Sequence, residues 1–280
     1  MMKTILIPVD FSETSSNALK YATALIKDME VERIILLKVF YKSVYEQFLP
    51  TADFIQLSDE DIKNERNILN EQLKTLTESI LKTCNPSVSI QKVMSDLPLL
   101  RAIHEIIVAE HPDLLLIGSD HPQEQQESYI GQQVIGIAKT SPIPVLIIPA
   151  GGTYKKIKQV LLPCDFAAVS RLNLLKALQR PLDWFRPELL VLNIDPKQKH
   201  LKHGEEHENV LQEVLEGYHY KVYYTEDQHT VSGILNFALN NDVQLIMALP
   251  GKYSFFYQLT HSSTTAALAL NSREPVMILK

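Results

Sequence analysis

The chain has 280 residues, a formal charge of −6 and 45% hydrophobic residues, a length and composition that fit about two folded domains. A mildly acidic chain without a Lys/Arg block disfavours DNA or RNA as the main partner, but a few backbone N–H groups are enough to hold a nucleotide. No apolar run approaches the roughly 20 residues of a membrane span, and Asp10 comes too early for a signal peptide. Two cysteines without a CxxC pattern indicate reduced thiols. We therefore expect a cytoplasmic protein without membrane contacts.

Strands and helices are predicted to alternate along the first half of the chain. Ile5–Val9 is an apolar run that ends at Asp10, which is typical of a strand buried on both faces. An amphipathic helix follows, with Ser12 or Thr14 as its N-cap. The later predicted elements are a strand at 34–40, an aromatic-rich connection at 41–57, a helix opening at Ser58, a strand at 88–93, a helix at 99–109, a strand at 114–117, a helix around 134–138 and a strand at 145–148.

The second half of the chain repeats the first. Residues 5–11 match 160–166 and residues 34–39 match 189–194, both at one common offset. Residues 114–117 match 245–248 and residues 144–148 match 275–279 at a second, smaller offset, so a connection is shorter in the second half. Strands that alternate with helices favour parallel pairing with right-handed crossovers. The sequence therefore predicts an α/β protein of two tandem doubly wound, Rossmann-like domains, at about 1–150 and 154–280.

Three motifs are similar to those of the universal stress protein (UspA-like) family. They are PVD at the end of the first strand, DLLLIGS at Asp113–Ser119 and SPIPVLIIP at Ser141–Pro149. Both halves fit the five-strand plan of that family, so the chain resembles its tandem form. The resemblance implies a parallel sheet of strand order 3-2-1-4-5 in each half and a pseudo-two-fold relation between the halves. It also implies pairing through the last strand, either within the chain as a pseudo-dimer or between two chains as a homodimer.

One branch of this family binds ATP through a loop after the fourth strand, patterned as Gly, two residues, Gly, nine residues, Gly and then Ser or Thr. Such glycines let the backbone approach a phosphate, and the N–H groups of the following helix attract its charge. In the first half, Gly118 and Gly131 match the first and third glycines. His121 replaces the second glycine and Gln132 replaces the hydroxyl residue, so only half of the pattern is present.

The second half has lost all three glycines of this pattern. Leu249, Lys252 and Ser262 lie at the three glycine positions, Ser263 lies at the hydroxyl position, and Gly251 is one residue out of register. A lysine and hydroxyl groups suit a phosphate chemically. The alternative interpretation is that the hydroxyl groups cap the last helix.

The family resemblance also places an adenosine at the ends of the first, second and fourth strands. It implies that Asp10 and Asp165 contact adenine or ribose. Pro8, in the same PVD motif as Asp10, belongs to this implied binding site. The alternative role for each aspartate is an N-cap or Asx-turn. Val39 and Ile194 correspond to the family position that touches adenine, and their alternative role is ordinary strand core.

A histidine cluster in the second half has a spacing that could hold a metal. His200, His203 and His207 have helical spacing, which could place them on one helix face. Gly204 weakens that helix and no cysteine supports the site, so solvated polar residues are the favoured interpretation. We expect no metal.

Three functions are consistent with these patterns. The chain is a stress protein that acts through its surface and an unknown protein partner, or one that binds ATP or another adenine nucleotide in at least one half, or an enzyme on a related nucleotide-binding fold. The replaced loop glycines favour the first of these over the second. Since no nucleotidyl-transferase motif and no paired nucleophile and base are visible, we expect no catalytic residue and no enzyme.

Overall fold

The computed structural model describes residues 2–41, 59–120, 128–164, 173–194, 211–212, 215–248 and 272–280. The first half contains β1 (Thr4–Val9), α1 (Glu13–Lys27), β2 (Arg33–Val39), α2 (Asp59–Leu81), β3 (Ser89–Ser95), α3 (Leu99–Glu110), β4 (Leu114–Gly118), a 3-10 helix (Gly131–Gln133), α4 (Val134–Thr140) and β5 (Val145–Ile148). The second half contains β6 (Gln159–Pro163), α5 (Asn173–Phe185), β7 (Glu188–Ile194), β8 (Tyr220–Thr225), α6 (Thr230–Asn240), β9 (Leu245–Ala248) and β10 (Val276–Ile278).

The ten strands form one sheet in the order β3-β2-β1-β4-β5-β10-β9-β6-β7-β8. Within each half all pairs are parallel, and the order is 3-2-1-4-5. The halves meet at β5 and β10, which pair antiparallel with Met277 opposite Leu146. This reversal at the centre relates the halves by a pseudo-two-fold axis, so the predicted fold class is confirmed and the last strands pair within one chain.

The predicted strands agree with the structure to within two residues at each end. β1 is buried at all six positions, as its unbroken apolar run predicts. The clearest difference is β3, which continues to Ser95 instead of ending at 93, because Met94 and Ser95 pair with Lys38 and Val39 of β2. The predicted division between 150 and 154 falls between β5 and β6, and the domain limits themselves stay a prediction.

Helices cover both faces of the sheet, as in other doubly wound folds. On one face, α1, α2 and α5 pack on a core that continues across both halves and includes Ile5 and Val160. On the other face, α3 and α4 cover a core of the first half around Leu6, and α6 covers a separate core of the second half around Leu161. Among the described helices, none combines the length and the apolarity needed to cross a bilayer.

Candidate functional site

A cleft of about 590 Å³ opens at the carboxyl ends of β1 and β2. After β1 the chain builds β2 and β3 on one side and then returns to place β4 on the other side, so the cleft lies beside the topological switch point of the first half. Open α/β sheets bind ligands at this place. The lining consists of aromatic residues (Phe11, Phe40, Tyr41, Tyr129), charged residues (Asp10, Lys38, Glu65) and Ser12, Val39 and Leu69.

Asp10 borders the cleft, and both of its carboxylate oxygens accept hydrogen bonds from the chain itself. Oδ1 accepts from the Ser12 N–H at 3.1 Å, which closes an Asx-turn, and from the Ser12 hydroxyl. Oδ2 accepts from the Ser128 hydroxyl at 2.7 Å and from the Ile130 N–H at 3.1 Å. Asp10 therefore joins the start of α1 to the segment after β4.

These hydrogen bonds decide the ionisation of Asp10. Burial acts to raise the pKa of the carboxyl, but the hydrogen bonds from Ser12, Ser128 and Ile130 outweigh it and hold the pKa below its ordinary value of 3.8. The N-cap of α1 is Ser12 and not Thr14, because the Ser12 hydroxyl also accepts from the Ser15 N–H at 3.1 Å. Asp10 and Ser12 thus fix the beginning of α1 together.

Lys38 is a charged residue that follows the buried apolar residues 34–37 of β2. Burial lowers the pKa of its ammonium group, while the carboxylates of Asp10 and Glu65 act to raise it. Its Nζ lies 5.1 Å from the ring centroid of Phe11, within cation–π range. Phe11 has a φ of 65°, which residues other than glycine rarely adopt. The cleft wall therefore contains a strained backbone position at Phe11 and a partly desolvated cation at Lys38. Both features are enriched at binding sites.

The two matched glycines of the loop pattern are both covered by neighbouring groups. A Cβ on Gly118 would lie 2.5 Å from the carbonyl oxygen of Thr14, so this glycine lets α1 approach the end of β4. The N–H of Gly131 already donates to the Ser128 hydroxyl at 2.9 Å. Gln132 lies in the short 3-10 helix, and Pro8 is buried in β1 opposite Leu37.

Asp120 lies over Gly131. Its Oδ1 accepts a hydrogen bond from the Thr14 hydroxyl, and a Cβ on Gly131 would overlap its carboxylate. Its Oδ2 is buried without a hydrogen-bond partner among the described residues. A carboxylate thus occupies the space above the glycine that the loop pattern assigns to phosphate contact.

The second half differs from the first at the matching positions. Asn193 replaces Lys38, and its side-chain amide donates to the carbonyl of Cys164 at 3.0 Å. Ile194 corresponds to Val39 and is only 6% exposed in the core of that half, whereas Val39 is half-buried and lines the cleft. The other predicted site residues, His121, Asp165, Gly251, Lys252, Ser262 and Ser263, and the histidine cluster at 200–207 lie outside the described residues.

Three residues at or near the cleft are not identified by the sequence patterns described above. Lys38 could have been noticed, since a lysine inside the run ILLKV is unusual for a strand buried on both faces. Ser128 and Asp120 carry no local pattern, because their hydrogen bonds to Asp10 and Thr14 join positions more than a hundred residues apart. Only the folded chain brings these groups together.

The first half of the chain, which carries the cleft, matches a known family in sequence. The universal stress protein family model matches residues 1–149. The chain belongs to the universal stress protein family. Universal stress protein MJ0577 of Methanocaldococcus jannaschii is 31% identical over 159 residues, which covers 53% of this universal stress protein and 95% of the relative. The family model and this relative each match about half of the chain.

Solved structures resemble this universal stress protein along its whole length. One from Archaeoglobus fulgidus, also a universal stress protein, has a TM-score of 0.66 at 18% identity and covers 99% of this chain and 96% of that chain. A protein of unknown function from Pseudomonas aeruginosa has a TM-score of 0.56 at 12% identity and covers 100% and 92%. At these identities the likeness shows the fold alone. It includes both halves and agrees with the predicted tandem form.

Proposed function

We propose that this universal stress protein binds an adenosine-type ligand in the cleft of its first half and acts as a binding protein rather than as an enzyme. The observation that carries the proposal is the cleft itself, which lies at the switch point with four aromatic residues and Val39 in its wall. Its volume of about 590 Å³ is in the range of small-molecule sites. Aromatic faces and an apolar strand end suit a flat heterocycle.

Asp10 has a supporting role in this proposal. A carboxylate offers about four lone-pair positions, and the four hydrogen bonds from Ser12, Ser128 and Ile130 use them. This arrangement favours the Asx-turn interpretation of Asp10 over direct contact with a base. Lys38 is a polar group of the cleft wall that a ligand can reach.

A cleft-filling variant tests the proposal. Val39→Trp places a large ring in the cleft, whereas Val108→Trp places the same ring on α3, where Val108 is 57% exposed. We expect adenosine to bind the natural protein and Val108→Trp in the micromolar range by isothermal titration calorimetry, and Val39→Trp to lose binding at least tenfold, or about 1.4 kcal/mol.

The same titrations discriminate the alternative function. If adenosine, AMP and ATP all give no heat and no thermal shift with the natural protein, the cleft is not a nucleoside site. The protein would then act through its surface and an unknown protein partner, as the replaced loop glycines favour. Equal binding to Val39→Trp and Val108→Trp would place the ligand elsewhere on the molecule.

A further inference from the structure

We infer that the first half selects nucleosides over nucleotides, because the carboxylate of Asp120 places a negative charge over Gly131, the glycine that the loop pattern assigns to phosphate contact. The inference rests on the proposed function and specifies its ligand class. Asp120 comes two residues after the end of β4 and is held from two sides. Thr14, in the first turn of α1, donates to its Oδ1, and the backbone of Gly131 lies against the carboxylate.

The carboxylate lies against Gly131, and two hydrogen bonds link Gly131 to the cleft border. The Gly131 N–H donates to the Ser128 hydroxyl, and that hydroxyl donates to Oδ2 of Asp10 at the cleft border. Asp120, Gly131 and Ser128 therefore form one contiguous group of residues behind Asp10. The loop pattern assigns Gly131 to phosphate binding. Its N–H already donates to the Ser128 hydroxyl, and the carboxylate of Asp120 covers its Cα.

Charge around the cleft opposes a phosphate in the same way. Asp10, Glu65 and Asp120 contribute carboxylates, and Lys38 contributes an ammonium group whose pKa is lowered, mainly by burial. A nucleotide would bring further negative charge against Asp120, and Coulomb repulsion is strong where water is excluded. A nucleoside brings no charge, so its base and ribose can bind in the cleft without this repulsion.

A direct comparison of ligands in the natural protein tests the inference without any mutation. We expect adenosine to bind at least tenfold more tightly than ATP, with or without Mg²⁺, and AMP to lie between them, because each added charge increases the repulsion. The preference against ATP should weaken as the salt concentration rises, since ions screen the repulsion.

Asp120→Asn removes the charge and keeps an oxygen that can accept from the Thr14 hydroxyl. We expect it to raise the affinity for ATP at least tenfold and to change the adenosine affinity less than twofold. The matched control is Glu32→Gln, which removes one charge from an exposed residue at the opposite end of β2. It should leave both affinities unchanged.

The outcomes separate this inference from the proposed function. Adenosine binding with equal or tighter ATP binding in the natural protein would overturn the inference and leave the cleft as a nucleotide site. An adenosine-to-ATP ratio that is the same in Asp120→Asn and the natural protein would also overturn it. No binding of any of these ligands to either protein would contradict the proposed function itself, and with it the inference.

Discussion

Asp10 holds two parts of the first half together at the level of single side chains. Its Oδ1 accepts a hydrogen bond from Ser12 at the start of α1, and its Oδ2 accepts hydrogen bonds from Ser128 and Ile130 in the segment after β4. The sequence identifies Asp10 as a special residue because it follows a buried strand, but it leaves two roles open for it. The structure favours the turn-forming role, since its acceptor positions are used within the chain.

Asp10→Asn is expected to destabilise the protein by about 1–3 kcal/mol. Asparagine keeps one oxygen, so its amide N–H₂ must face either the Ser12 donors or the donors of Ser128 and Ile130. A donor placed against donors leaves one buried side unsatisfied. Urea unfolding of the two proteins at neutral pH measures the difference, and Glu32→Gln on the exposed surface should stay within about 0.5 kcal/mol of the natural protein.

The contribution of Asp10 is also expected to depend on pH. Its pKa is lower in the native protein than the ordinary value of 3.8, so the unfolded chain takes up the proton more readily. The stabilisation is therefore complete well above 3.8 and is lost as the pH falls through the native pKa. The difference in free energy of unfolding between the natural protein and Asp10→Asn should shrink in acid, and a difference that grows in acid would contradict the direction of this pKa shift.

At the level of elements, the site depends on how closely α1 approaches β4. Gly118 ends β4 under the first turn of α1, and this turn also carries Ser12 as the N-cap and Thr14 as the donor to Asp120. The sequence predicts the elements well because apolar runs and breakers are local signals. It does not predict the distance between α1 and β4. That distance is short because Gly118 has no side chain, which leaves room for the carbonyl group of Thr14 from a distant part of the chain.

Gly118→Ala and Gly136→Ala form a matched pair that tests this close contact. Gly118→Ala forces a Cβ to 2.5 Å from the Thr14 carbonyl, so α1 must shift, at a cost of about 1–3 kcal/mol. Gly136 lies inside α4, and its new Cβ would be 3.8 Å from the nearest atom, a normal contact with Leu100. Gly136→Ala should therefore stabilise the protein by roughly 0.5–1 kcal/mol through helix propensity. Thermal or urea unfolding measures both, and equal effects would refute the proposed role of Gly118.

At the level of the whole molecule, the last strands of the two halves, β5 and β10, pair with each other within one sheet. Because of this pairing, neither strand offers an edge to a second chain. The duplication in the sequence predicts two similar halves, but the family resemblance implies pairing through the last strand either within a chain or between two chains. In the structure β5 and β10 pair antiparallel, with Met277 opposite Leu146, so the pairing is within the chain.

The chain is therefore expected to remain monomeric in solution. In the described part of the sheet the outer strands are β3 and β8, and each presents an exposed lysine, Lys92 and Lys221, which disfavours pairing with another sheet. Sedimentation over a wide concentration range should give the mass of a single chain. A stable dimer in the natural protein would contradict this prediction and would require another interface.

The edge charge can be tested separately from the last strands. Lys92→Val makes the outer face of β3 more apolar, so we expect it to promote concentration-dependent association by removing a charge that opposes edge pairing. Lys74→Val makes the same substitution on the exposed side of α2, where no strand edge is created, and it should stay monomeric. If both variants associate alike, the effect comes from general surface hydrophobicity. If only Lys92→Val associates, the tandem chain is kept monomeric by two features together, the pairing of β5 with β10 and the charge on the outer strand.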